Sequence, residues 1–390
     1  MFSRRVPAEL TENALTRAAD RARRAGRRLL DLTVSNPTIV GLPYPADLLA
    51  PLSAAAALEY APEPLGPAPG REAVAHDALR RGVTVDPGRI GLTASTSEAY
   101  SLLFKLLCDA GDEVLVPQPS YPLFDHLARL DLVGIRPYGL DPHGGWCLDV
   151  EPIRAAVSAR TRAMVVVSPN NPTGSCVDED GFARLDALAA ERGVAVISDE
   201  VFADYPVSPG SDTVVSVLSR PRRALSFALG GVSKSIGLPQ VKLGWFAVGG
   251  PDPVVREALG RLEVIADAYL SVGTPVALAA SWMFERGRAV REAITARIRR
   301  NLDVARRVAA AHAWCDLQPV GGGWTAVLRV PAVRTEEGWC LALVEQHGVL
   351  VHPGYFFDFP TEAYLVVSLL TPPEVFDEGM ARICELVEVR

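Results

Sequence analysis

The stretch VSKSIGLPQVKLGW, residues 232–245, holds two of the chain's three lysines, against 36 arginines. A high-GC genome suppresses lysine codons, so the scarcity itself says little and the positions that keep lysine say more. Arginine stays protonated in proteins, whereas a lysine amine can be deprotonated by its surroundings and form a Schiff base with a carbonyl. Lys234 is therefore a candidate nucleophile. The competing reading is a surface lysine in a Gly/Pro-rich loop, and the rest of the chain has to decide between them.

At 390 residues, 49% hydrophobic and 22% charged, the chain has the composition of a soluble globular protein of one large domain or two. The net charge of -7 offers no electrostatic footprint for nucleic acid or an anionic membrane, and the arginine-rich run at 21–28 reads as a solvated helix face. Neither an apolar signal region nor a membrane-length apolar run is present, so a cytoplasmic location is expected. The six cysteines form no Cys-x-x-Cys pair and read as reduced thiols. The six histidines are as dispersed, so neither a metal site nor a Ser/His/Asp triad is expected.

Helical periodicity alternates with short β-branched runs through the middle of the chain, the pattern of a mostly parallel sheet covered by helices. EVLVP (113–117), AMVVVS (163–168) and VAVIS (194–198) are apolar throughout, as strands buried on both faces are, and 178–192 reads as an intervening helix. This defines an α/β domain over 46–285. A charged helix over about 290–310 follows, then GGGWTAVLRVP, a helix near 335–347, AYLVVSLL and a last helix from Pro373. Together with 1–45, residues 286–390 read as a smaller α+β domain.

Four features surround Lys234 in sequence order. Ser95, Thr96 and Ser97 stand immediately before a helix, whose free N–H groups suit phosphate, although plain N-capping explains the same residues. SPNNPTG (168–174) follows a buried strand directly and turns Asn171 toward the carboxyl end of the sheet, where open α/β sheets place ligands. A plain turn remains open there. Asp199 ends the next buried strand, where a carboxylate needs a partner such as a protonated ring nitrogen; a helix N-cap is the alternative. Lys242 lies eight residues after Lys234, so one lysine can carry a Schiff base while the other neutralises phosphate. Phosphate site, pyridinium partner, turn amide and Schiff-base lysine together specify pyridoxal phosphate.

In their order and spacing these motifs resemble the class I/II aminotransferases of fold type I, from LLDLTVSNP near the N-terminus to the last helix. The resemblance implies a large domain with a mostly parallel sheet plus a small α+β domain, and pyridoxal 5'-phosphate as cofactor. It assigns Lys234 as the cofactor's lysine with Ser233 before it, and Asp199 as the acid paired with the pyridine nitrogen. Asn171 becomes the donor to the phenolic oxygen, Ser95 and Thr96 the phosphate turn, Tyr121 the aromatic stacked on the ring, and Lys242 the stand-in for a phosphate-binding arginine. Tyr60 resembles the tyrosine that reaches across a homodimer to the partner's phosphate. The implied reaction moves an amino group between an amino donor and a 2-oxo acid, with Lys234 and Asp199 as catalytic residues.

Two positions depart from the family pattern. Phe202 stands where a tyrosine normally donates to the phenolic oxygen, with Tyr205 nearby to compensate. Val366 stands where an arginine, two residues before a serine, normally clamps the substrate's α-carboxylate. No lysine or arginine occurs between Arg334 and Arg382, and none between Leu29 and Gly70. His352, Asn36 or backbone N–H groups are the available replacements, and Trp324, Tyr355 and Phe356 suit a bulky or apolar substrate if they line the pocket rather than the small-domain core. The missing clamp keeps two further readings open: a lyase, decarboxylase or carbon–carbon bond-forming enzyme on the same cofactor, and a non-catalytic binding protein on the same fold.

Overall fold

The computed structural model describes residues 2–7, 11–207 and 215–388. Seven strands build the main sheet in the spatial order 90–93, 244–249, 226–231, 195–199, 161–167, 113–118 and 134–139. Strand 244–249 is antiparallel to both its neighbours, and the other pairings are parallel. The apolar strands expected from the sequence lie at the centre: 163–167, 195–198 and all of 226–231 are buried. Strands covered by helices on both faces have no polar side to show.

The register brings the functional ends together. Val167 pairs with Asp199, and Asp199 with Leu229, so the chain leaves three adjacent strands at one edge, into the 168–174 turn, at Asp199 and toward Lys234. The helix expected over 178–192 is Glu179–Arg192, capped by the side chain of Asp178 and closed by Gly193 in the left-handed region at φ 64°.

A second sheet pairs strands 352–353, 364–368, 325–329 and 316–317 antiparallel, and 30–31 pairs parallel with 349–350 in a two-stranded piece. The N-terminal helix Ala14–Arg24 buries Leu15, Ala18, Ala19 and Ala22 and packs on the helical 336–347 segment, as expected of an element that cannot bury a core alone. The helix expected over 290–310 starts much earlier, at Thr274, and runs unbroken to Ala310. The boundary drawn at 285/286 therefore falls inside one helix. Its apolar residues give no sign of a break there, because Met283, Phe284, Gly287 and Val290 are buried on one continuous face. From this helix the buried amide of Asn301 donates to the carbonyls of Leu369 and Thr371, both at 2.8 Å, and so ties the helix to the chain just after Ser368. Among the described residues no helix is long and apolar enough to cross a membrane.

Candidate active site

Strand 226–231 ends in two glycines, and Val232–Ser235 forms a single helical turn that carries Lys234. The peptide carbonyls of this turn and of the residues just after it are tied from outside. The Tyr205 hydroxyl donates to the carbonyls of Lys234 (2.7 Å) and Ser235 (3.0 Å), Arg291 Nε donates to that of Ser235 (3.0 Å), and the Tyr44 hydroxyl to that of Gly237 (2.7 Å). The Arg291 guanidinium is itself fixed by both oxygens of Asp77 at 3.1 Å. With the backbone held, the Lys234 side chain runs into a cavity of about 250 Å³. Its Nζ lies 5.0 Å from the ring centre of Trp324 and 5.5 Å from that of Phe202. Burial pulls its pKa down, and the Asp199 carboxylate pulls the other way.

Asp199 faces the same cavity. Its Oδ1 accepts from the Val201 N–H (3.2 Å) and its Oδ2 from the Tyr100 hydroxyl (3.1 Å). Burial pushes this carboxyl up to about 6, against those two donors, while Glu200 adds to the rise and Lys234 opposes it. Asn171 lines the cavity with its buried amide oxygen unpartnered among the described residues. Among the described residues, Lys234 and Asp199 are the only charged ones of the cavity wall.

The wall also includes Ser95, Thr96 and Ser97, at the start of helix Thr96–Leu107. Ser95 caps the helix by accepting from the Glu98 N–H at 3.2 Å, so N-capping is present in this turn. A hydroxyl that accepts a cap bond keeps its own O–H to donate. Gly244 makes the close approach possible, since a Cβ there would lie 2.9 Å from the Ser95 carbonyl carbon.

Of the residues expected at the site, Ser95, Thr96, Tyr121, Asn171, Asp199, Ser233 and Lys234 line the one cavity. Lys242 does not: it is exposed, in the left-handed region at φ 58°, just past the 239–241 turn. Tyr60 is 76% exposed and lies outside the wall. Several of the suggested replacements are otherwise engaged. Tyr205 cannot compensate for Phe202, because its hydroxyl is spent on the lysine turn. Asn36 caps a local turn through Thr38 (3.0 Å to the N–H). His352 packs edge to face on Phe357, is held below its ordinary pKa by burial despite Asp31, and does not line the cavity. Val366 is 1% exposed in an apolar cluster with Val327 and Phe359, and it too stands outside the wall. Of the three aromatics, only Trp324 belongs to this cavity; Tyr355 and Phe356 line a neighbouring one that shares Tyr121 and Phe124 with it. Sequence reasoning missed Tyr100, Thr325 and Ser35 in the wall. Only for Tyr100 was there a signal, its place on the helix that starts at the serine turn.

Residues 61–383 match the family described as aminotransferase class I and II. The chain is 32% identical over 330 residues to capreomycidine synthase of Streptomyces vinaceus, covering 82% of this chain and 80% of that protein. It is 27% identical over 262 residues to glutamate-pyruvate aminotransferase AlaA of Escherichia coli (strain K12), covering 66% and 64%. Among solved structures, alanine aminotransferase from Pyrococcus furiosus superposes with a TM-score of 0.89 at 23% identity over the whole of both chains. A single mutant of the Thermus thermophilus aspartate aminotransferase gives 0.85 at 25% identity over 99% of each. The chain belongs to the class I and II aminotransferase family, and it is an enzyme of that class with the fold type I architecture.

The strain at Asp199 has a measurable sign. Its folded-state pKa is raised, so the folded protein holds this proton more tightly than the unfolded chain does. That contribution to stability is full below pH ~4 and is lost as pH rises through about 6. In the ligand-free protein, Asp199→Asn is therefore expected to be more stable than the wild type at pH 7.5, by about 1–3 kcal/mol. Denaturant melts should show the gap closing as the pH is lowered toward 5, and a variant less stable at every pH would refute the assignment of strain.

Proposed function

We propose that Lys234 carries pyridoxal 5'-phosphate and that the protein moves an amino group from a donor without a second carboxylate to a 2-oxo acid. The observation that carries this reading is the pairing of Lys234 and Asp199 as the only charges, among the described residues, of one cavity wall. The chain's residues fit the cofactor. Asn171 lines the cavity, where its amide N–H group would suit the phenolic oxygen, and the Ser95 hydroxyl with the N–H groups of the 96–107 helix suits its phosphate. Tyr121 offers a ring face, and Asp199 suits a protonated ring nitrogen. When bound, the cofactor supplies an electron sink for the charge left at the substrate's Cα.

The protein's own part is proton handling and orientation. Burial lowers the proton affinity of Lys234, which suits the amine to take a proton from the substrate Cα and return it elsewhere. Phe202 and Trp324 flank the amine and exclude water. The Tyr205 and Arg291 hydrogen bonds keep the turn from drifting, and small displacements of a reacting group are costly. Lys242 at the phosphate needs a side-chain swing from its exposed position. The division into a cofactor-binding domain of 46–285 and a small domain of 1–45 and 286–390 belongs to this reading, with the 274–310 helix shared between them. So does a cytoplasmic setting, supported by six cysteines that are all free.

The substrate side follows from the wall. An α-carboxylate normally held by a bidentate guanidinium would find no cation but Lys234 among the described wall residues, and a second carboxylate would be worse placed. The same observation, with the likeness to a synthase, favours a second reading in which the cofactor serves a lyase or bond-forming reaction. A panel of aspartate, glutamate, neutral α-amino acids and carboxylate-free amines, each with a 2-oxo acid, separates these. Amino-group transfer from neutral donors or amines is expected at least about tenfold faster than from aspartate or glutamate, as one unpaired carboxylate costs more than 1.4 kcal/mol. Fast transfer from the dicarboxylic donors would refute the substrate assignment, and donor consumption with no aminated acceptor would favour the second reading.

We further propose a homodimer in which the partner subunit's Tyr60 completes each phosphate site, supported by the exposure of Tyr60 in the single chain. Sedimentation of the cofactor-loaded protein should show a dimer, and Tyr60→Phe should weaken cofactor retention about fivefold or more, as for one hydrogen bond to a charged group. A fully active monomer contradicts this.

A further inference from the structure

We infer that Tyr100 is a positioning residue for Asp199, an inference that rests on the reading of Asp199 as the partner of the cofactor's ring nitrogen. Tyr100 is 2% exposed, and its hydroxyl makes one hydrogen bond among the described residues, the 3.1 Å contact to Asp199 Oδ2. The ring is held by edge-on packing against Phe124, with centroids 5.3 Å apart and planes at 81°, and by tilted packing on Phe104 at 5.9 Å. The hydroxyl thus has a single direction in which to donate. With Val201 N–H on Oδ1, each carboxylate oxygen has one protein donor, and the cavity side of the carboxylate is left for a ligand.

The groups around the carboxylate show why this donor matters. From its own strand end Glu200 adds negative charge, and from the lysine turn Lys234 opposes it. From the 119–122 loop Tyr121 faces it across the cavity as a neutral phenol, and behind Tyr100 lies Tyr138. Burial holds the Tyr100 phenol well above its ordinary pKa, so it stays protonated and donates at every working pH. Tyr100 also lies five residues beyond the Ser95 cap, a rise of about 7.5 Å along the same helix. One rigid element therefore presents the anion-binding turn at its start and the support for Asp199 about one and a half turns later.

The test uses the cofactor-loaded protein and Tyr100→Phe, which keeps the ring and removes the donor. Tyr138→Phe is the control, because its equally buried hydroxyl donates to the Val165 carbonyl at 2.8 Å. The readout is the pH profile of the pyridoxal-phosphate binding constant, whose acid limb reports protonation of Asp199. In Tyr100→Phe the acid limb is expected to move up by about one pH unit, with binding near neutrality weakened severalfold, while Tyr138→Phe leaves the profile in place. Should Tyr100→Phe fail to fold, 3-fluorotyrosine at position 100, a stronger donor, is expected to move the limb down. A limb unmoved by either change, with stability alone affected, overturns the inference and leaves Tyr100 a satisfied core residue. A wild-type protein that binds no pyridoxal phosphate would overturn the reading of the site as well, so the two failures are distinguishable.

Discussion

Burial of an amine and a carboxylate in one cavity is the constraint on which this site depends. Water solvates both groups well, and taking them out of it pulls Lys234 down and Asp199 up in pKa. Among the described residues each is the other's only charged neighbour on the cavity wall, and neither is fully compensated by the protein. That imbalance costs stability, and on the proposed reading it would leave the amine available and the carboxylate ready for a cationic partner. Functional sites commonly store such costs. The surrounding fold maintains it: three parallel strands end side by side, and a tied turn prevents Lys234 from escaping to solvent.

That turn shows how stiffness is achieved without a large element. Val232–Ser235 is only one turn of helix, too short to be stable alone. Tyr205 and Arg291 hold its carbonyls, and Tyr44 holds that of Gly237 just beyond it, from three separate parts of the chain. Arg291 comes from the long 274–310 helix and is anchored on Asp77 of the 68–79 helix, so the lysine is referenced to two helices of the main body. Arginine serves here as a forked structural donor, a role lysine could not fill.

Much of this was legible in the sequence, because the signals were local. Buried parallel strands read as unbroken apolar runs, and the residues that follow them, Asn171, Asp199 and Lys234, fell into one cavity as the order of motifs implied. What was not legible depended on direction and distance. Tyr205 looked like a substitute for the phenol missing at Phe202, yet its hydroxyl points at backbone. His352 looked like a replacement cation, yet burial lowers its pKa and it stands outside the cavity wall. The start of the 274–310 helix was placed too late, since its first turns carry few charges and read as part of the preceding domain. Tyr100 was overlooked because its contact with Asp199 spans 99 positions, and no local pattern encodes such a pairing.

The central claim is that Lys234, alone among three lysines, is the group that holds the cofactor. Borohydride reduction of the protein loaded with pyridoxal phosphate, followed by peptide mapping, tests it most directly. A single label on Lys234 is expected, with Lys105, which pairs with Asp131, and Lys242 unmodified. A label on either of those residues, or none on Lys234, would contradict it.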